Sequence, residues 1–342
     1  MEREEMKVYI LKPYDVLSFG SLKNFSAGEV RLQKSVFPPP IIRFFHIFER
    51  VLGVFLYREK GEEKELFLPL PADCLTKRKG DGAQRVKIAP PESPPLITGD
   101  IEAYETASGF ISLMDFLQNY EKGSGDFTTY PPEEFFGTER RIGIWLEKSF
   151  RNVKNVKREG EEEKEGLLYS RDFIRLKEGV RIAVLGKVHK DVSDREIFGL
   201  GGEKKMGLLE KTLDADTALE KEIEIEKDTI YKFYCLTHLY VKDGIQRSKT
   251  LTIDGLNFEV VWLFNAGVEY VSGYKKSSQE ISGQKPFLEM LKPGSVIVLK
   301  PKSEGKLKKL CQIFTEIPVN GNVGEKFLSR GWNSGILTEV KG

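Results

Sequence analysis

The sequence is poor in the residues on which most enzyme chemistry rests. Its 342 residues include three histidines, His46, His189 and His238, and no two are neighbours. That excludes an HExxH metal pair. The three cysteines, Cys74, Cys235 and Cys311, are odd in number and far apart. They make neither a CxxC site nor a disulfide framework, so the expected setting is a reducing cytoplasm. No GxSxG elbow is present, and no Gly-Lys-Ser/Thr follows the glycine run at 199–202, which rules against a Walker-type nucleotide site. No apolar run reaches the 18 or so residues of a membrane helix, and Met1 to Met6 is acidic and polar, unlike a signal peptide. Excess charge is missing too, since the formal net charge is +1. A chain that grips nucleic acid alone carries a basic excess. Any such site here is therefore a local cleft, or is shared with partner chains. Asp214-Ala215-Asp216 reads as a solvated acidic linker rather than a metal site. No metal and no cofactor is expected.

What is there is length and a repeated pattern. At 40% hydrophobic and 31% charged residues the chain has the make-up of a globular protein with room for two cores. Ser193 to Leu213 reads SDREIFGLGGEKKMGLLEKTL, and Asn322 to Val340 reads NVGEKFLSRGWNSGILTEV. Each has a helix-like start (Asp194 to Phe198, Glu325 to Ser329), then a glycine loop, then a strand-like stretch. Glycines permit positive φ, and successive N–H groups in such a bend form a concavity for anions. Lys204 and Lys205 stand at the first loop, with Gly201 and Gly202; Arg330 and Trp332 stand at the second. The loop has a plainer reading as a tight turn between elements.

The rest of the chain suggests alternating elements. Val8 to Leu11 is a strand. Pro38-Pro39-Pro40 introduces an expected helix over Ile41 to Tyr57, on which a 3.6-residue period aligns Arg43, His46, Arg50 and Gly53 in one cationic stripe. Leu66 to Pro71 is a strand and Phe110 to Tyr120 a helix. Glu139 to Leu146 alternates as a strand with Arg141, Gly143 and Trp145 outward and Ile142, Ile144 and Leu146 inward. Leu167 to Leu176 and Val180 to Val188 are strands joined by the turn Lys177-Glu178-Gly179. The second half restarts with strands at Thr229 to Val241 and Phe258 to Phe264, a helix at Pro286 to Leu291 and a strand at Ser295 to Leu299. The order β-α-β-β-α-β predicts an α+β fold of two ferredoxin-like domains with loop and hairpin insertions, residues 1–215 and 216–342, the second degenerate.

Candidate nucleic-acid contacts follow from cations near glycine or aromatic residues. They are Lys34 in the first polar loop, Arg43, His46 and Arg50 on the expected stripe, Arg140 and Arg141, the glycine-loop residues above, and Tyr274 with Lys275, where a ring can stack on a base beside a phosphate-binding amine. His46 could alternatively serve as a general base in RNA cleavage, or simply be a polar residue bonded to a neighbour.

Several segments in order carry a family likeness: KPYDVLSF, FPPP, LFLPLPAD, ERRIGIWLEK, GLLYSRDFIRL, GLGGEKK, GYKK and PGSV. Together they resemble the third Cmr subunit of type III-B CRISPR effector complexes, a RAMP protein. The first loop, FGSLKNFSAGE, departs from the family's arginine-rich wording, and Ile41-Ile42-Arg43 replaces its usual start after FPPP. The resemblance implies a non-catalytic subunit that holds the 5′ tag of a guide CRISPR RNA. It also implies partners, the large polymerase-type subunit and the backbone RAMP subunit, with target cleavage belonging to the latter. The rivals are a metal-independent precursor-RNA endoribonuclease using His46 and a scaffold that touches only protein.

Overall fold

Gly179 takes φ +75° at the expected turn, and two nine-residue strands flank it. The two do not pair with each other. They belong to different sheets, so the turn is a corner rather than a hairpin. The Gly179 carbonyl accepts from Glu59 N at 2.9 Å, which pins that corner to a third strand.

The computed structural model describes residues 6–19, 31–77, 87–88, 104–124, 127–144, 168–189, 192–193, 195–202, 205–241, 244–245, 248–271, 288–315 and 328–340. The strands that position the site are β1 (Lys7–Pro13), β2 (Phe48–Lys60), β3 (Phe136–Ile144), β4 (Leu168–Leu176), β5 (Val180–Val188) and β6 (Met206–Asp214) in the first half. In the second half they are β7 (Tyr231–Cys235), β8 (Leu256–Phe264), β9 (Val296–Pro301) and β10 (Ser334–Glu339).

An eight-stranded sheet runs Ile197–Gly199, β6, β1, β5, β2, Glu63–Pro69, Phe110–Ser112, Thr129–Tyr130. A smaller sheet pairs β3 with β4 and β4 with Arg31–Gln33. The second half closes a six-stranded barrel, β7, β9, β8, Thr250–Ile253, Leu310–Phe314 and β10, back to β7. The sequence β6–β1–β5–β2 recurs as β10–β7–β9–β8, with every neighbour antiparallel. The fold is β-rich, which is compatible with the expected α+β class, and helices are few and short among the described residues. They include Leu113–Gln118, Thr217–Glu220 and the helical residues Leu328 and Ser329, the described end of the expected helix-like segment Glu325 to Ser329. Among the described residues no helix is long and apolar enough to cross a membrane.

The expected helix over Ile41 to Tyr57 is corrected. Ile41–Phe44 is a single 3-10 turn, and the chain enters β2 at Phe48. β2 is a central strand buried on both faces: Phe48, Val51 and Val54 pack into one cluster, Leu52, Phe55 and Tyr57 into another. A strand buried twice reads as a continuous apolar run, which mimics a buried helix. The expected helix at Pro286 to Leu291 is likewise a strand, Leu288–Leu291, in its described part. The helix-like start before the first glycine loop is the short edge strand Ile197–Gly199. Asp214 to Asp228, readable from its charge as a linker or a connecting helix, holds the short α-helix Thr217–Glu220, capped by Asp216, which accepts from Ala218 N, and then the strand Glu222–Ile225.

The two halves share a core. β9 alternates, sending Ile297 and Leu299 into the barrel with Phe233, Phe258 and Leu337. Val296 and Val298 point the other way, against Val8, Ile10, Leu52 and Phe55 of the first half. Full burial of each such side chain stabilises by about 1.5–3 kcal/mol. At the seam, Val51 N donates to the Arg330 carbonyl at 2.9 Å. The adjacent Gly331 has φ +99°, and a Cβ there would overlap the Val51 carbonyl. Cys74, Cys235 and Cys311 are all buried and free.

Candidate nucleic-acid interface

Strand register decides which cations of the β3–β4 pair share a surface. Glu139 lies opposite Phe173, Arg141 opposite Arg171 and Gly137 opposite Arg175. Side chains alternate with period two, so Glu139, Arg141, Phe173, Arg171 and Arg175 stand on one face. Arg140 and Ile142 stand on the other. Ile142 is 74% exposed, which corrects the expected inward placement. Arg140 and Arg141, adjacent in sequence, therefore cannot act side by side on one phosphate.

Two more segments reach the Arg141 face. Leu17 N and Ile174 N each bond to the other residue's carbonyl, at 2.7 and 2.9 Å, and this holds the turn at Asp15 beside β4. Tyr14 N donates to the Met206 carbonyl at 3.1 Å, which brings Lys205 to the same place. Lys205 Nζ lies 2.7 Å from Asp15, with Arg141 at 3.7 Å and Arg175 at 3.6 Å from the same carboxylate. Arg141 and Arg175 each donate from Nε to Glu139 at 2.7 Å. Arg141 and Lys205 also lie over the Phe173 ring, at 5.1 and 5.5 Å. The Lys205 hydrogen bond is the first cause holding the Asp15 carboxyl down to about 2, with the Val16 N–H next. Hydrogen bonds from Arg141 and Arg175 hold Glu139 below its ordinary value. Three cations thus face two carboxylates, and Arg175 and Arg141 keep 53% and 40% of their side chains exposed.

On the opposite face Arg140 forms a bidentate pair with Asp172, at 2.8 and 3.2 Å. That bond lowers the Asp172 carboxyl and raises the Arg140 guanidinium. Lys34 is exposed and acts on Asp172 at longer range. Ser35 Oγ, next to it, donates to the Asp172 carbonyl at 2.6 Å.

The first glycine loop is built for another purpose than the expected anion concavity. Gly202 N donates to the Ser18 carbonyl at 2.7 Å, and Leu200 N to the Lys205 carbonyl at 2.7 Å. Gly201 has φ +86° and lies where a Cβ would press on that Ser18 carbonyl at 2.8 Å. Glycine is needed here so that two stretches of chain can meet. The loop sets Lys205 against Asp15 instead of offering the Gly202 N–H to an anion. Lys204 lies outside the described residues, as do Tyr274 and Lys275.

The remaining candidates form no stripe. His46 is exposed, and its Nε2 is 2.6 Å from the Gly199 carbonyl. A carbonyl only accepts, so this nitrogen carries the proton. Arg50 reaches across the seam to Gln312 Oε1 at 2.6 Å. Arg330 donates to the Phe48 and Glu49 carbonyls at 3.4 and 3.3 Å and lies over Phe45. Arg43 is desolvated by burial, which lowers its basicity, and feels both Glu269 and Arg171. Trp332 is 3% exposed and edge-on to Phe45. The expectation that Trp332 contacts RNA is corrected: its ring belongs to the core at the seam.

Sequence reasoning missed Asp15, Phe173 and Arg175. The alternation Arg171, Phe173, Arg175 in RDFIRL was the available signal. Among the described residues no group of three or more His, Cys, Asp or Glu side chains is gathered for a metal ion.

Comparison with known proteins adds a family. The family model described as CRISPR-associated protein (Cas_Cmr3) matches residues 46–326. No curated protein matches the chain. Among solved structures the chain is similar to one in a cryo-EM structure of the type III-B Cmr-beta bound to cognate target RNA and AMPPnP, at 16% identity and TM-score 0.42 over 85% of this chain and 86% of that chain. It is also similar to one in a structure of Cmr-beta bound to cognate target RNA, at 14% identity and TM-score 0.45 with the same coverage.

Proposed function

The chain belongs to the Cas_Cmr3 family of CRISPR-associated proteins, and from that we propose that it is a non-catalytic, RNA-binding subunit of a type III-B effector complex. In this reading it holds the 5′ tag of the guide RNA and docks on the large polymerase-type subunit and the backbone RAMP subunit. One observation carries the RNA contact: Arg141, Arg175 and Lys205, from three separate stretches of chain, gather on one face over the buried Phe173, with the two arginines exposed and the lysine largely covered. Arginine forks match phosphate geometry in pairs, and lysine adds a mobile point charge. Arg140 and Lys34 would extend the contact around the other face of the same strands.

The near-zero net charge supports a groove completed by partner chains, because phosphate neutralisation dominates nucleic-acid affinity. The recurring order β6–β1–β5–β2 and β10–β7–β9–β8 supports two ferredoxin-like units, residues 1–215 and 216–342, with the second curled into a barrel. In each unit a glycine loop, at 199–202 and at 331–335, leads into the strand of the four that comes last along the chain, β6 or β10.

The test is guide retention in the assembled complex. Arg141→Ala with Arg175→Ala should weaken it and lower the salt slope by about 2, one per lost phosphate contact. A complex that assembles and retains guide with the wild-type slope would leave the protein-only scaffold as the better reading.

A further inference from the structure

Resting on that reading of the Arg141 face, the geometry points to a second pair of residues that set its selectivity. We propose that Asp15 and Glu139 are built-in competitors for phosphate, which a single anion cannot displace but a run of phosphates can. Asp15 is shared by Lys205 at 2.7 Å, Arg175 at 3.6 Å and Arg141 at 3.7 Å. Glu139 takes both arginine Nε–H groups at 2.7 Å. Each carboxylate therefore occupies the donors that a phosphate oxygen needs. Neither is sequestered: Asp15 and Glu139 keep 42% and 33% of their side chains exposed. They can swing aside into water and stay solvated.

The selectivity follows from tethering. A carboxylate on the same chain competes at a high effective concentration, which a free anion in solution cannot match. A nucleic-acid backbone brings several phosphates at once, and its own tethering answers that of the carboxylates. With both acids displaced, Arg141, Arg175 and Lys205 face the strand with a full +3, whereas at rest they show +1. The surface is thereby closed to phosphate and mononucleotides and open to a polyanionic strand.

The experiment uses the full chain at low salt, a fluorescein-labelled single-stranded RNA, and inorganic phosphate as competitor. Asp15→Asn with Glu139→Gln should bind the RNA about tenfold more tightly, each change removing an exposed pair of modest strength. Inorganic phosphate should then compete at about tenfold lower concentration than in the wild type. The single variants, each with a smaller gain, keep the test readable if the double variant does not fold. Arg141→Ala with Arg175→Ala separates the two ideas. If it weakens RNA binding while the carboxylate variants bind like the wild type, the competitors are refuted and the RNA surface stands. If it changes nothing, the RNA surface falls and the competitors with it.

Discussion

Lys232 Nζ lies 2.6 Å from Asp73 Oδ2, one residue from the barrel and one from the first half, with both side chains buried. Tyr120 donates to the same carboxylate at 2.9 Å. Lys232 is on β7, and Asp73 follows the strand Glu63–Pro69. The halves are therefore clamped by a charge pair as well as by shared apolar packing, and the lysine is committed to structure.

That clamp predicts a large asymmetric effect. Lys232→Met strands a buried carboxylate and should cost about 3–5 kcal/mol. Adding Asp73→Asn removes the stranded charge and should recover part of the loss. Urea unfolding of the three proteins checks this. Equal stability for wild type and Lys232→Met would mean that water reaches Asp73.

The seam makes a second demand at Gly331. Its φ of +99° and the Val51 carbonyl beside it leave no room for a side chain. Gly331→Ala must move β10 away from β2 and should cost about 2–4 kcal/mol. Gly255→Ala is the control for positive φ alone, since it has φ +91° with nothing close to its missing Cβ. Its cost in the same unfolding experiment should be clearly smaller.

These two sites show what was legible in the sequence and what was not. The glycine loops stood out: the first precedes β6 and the second runs into the start of β10. Their reason was hidden, because a glycine needed for an anion and one needed for a neighbouring carbonyl look alike in one dimension. The strand at Glu139 was legible as a strand, yet its faces were misjudged, because Ile142 is apolar and still points to solvent. β2 was taken for a helix because burial on both faces erases the period that separates the two. Asp15, Arg175 and Lys205 meet only because the turn after β1 bonds both to β4 and to the start of β6, contacts between residues about 160 to 190 apart that no local pattern announces.

Acid should unfold the protein through its paired carboxylates. Asp15, held down to about 2, and Glu139, Asp172 and Glu59, each held below its ordinary value by a hydrogen-bonded cation, release protons more readily folded than unfolded. Such groups contribute stability that is fully present above their unfolded values, near 4, and lost as pH falls through the folded ones. Glu121, raised by burial, works in the opposite sense. The melting temperature should hold from neutrality to about pH 5 and drop between about pH 4 and pH 2. Asp15→Asn should make that drop shallower. A drop of unchanged steepness would show that Asp15 is paired no better folded than unfolded.

The last prediction concerns His46, the one histidine that could be cast as a catalytic base. Its Nε2 proton is spent on the Gly199 carbonyl at 2.6 Å, and its ring stands edge-on to Phe198 at 6.3 Å. The bond joins the chain just ahead of β2 to the outermost strand of the eight-stranded sheet, Ile197–Gly199. A hydrogen bond at such a sheet edge caps a carbonyl that would otherwise be free to pair with another chain. His46→Ala should therefore cost about 1 kcal/mol of stability. His46→Gln, whose amide can also donate, should recover part of it. Incubated with repeat-containing RNA, wild type and His46→Ala should both leave the strand intact. Site-specific cutting by the wild type that vanishes in His46→Ala and is not restored in His46→Gln would instead make this residue a general base and the chain a nuclease, since glutamine replaces the hydrogen bond but cannot accept a proton near neutral pH.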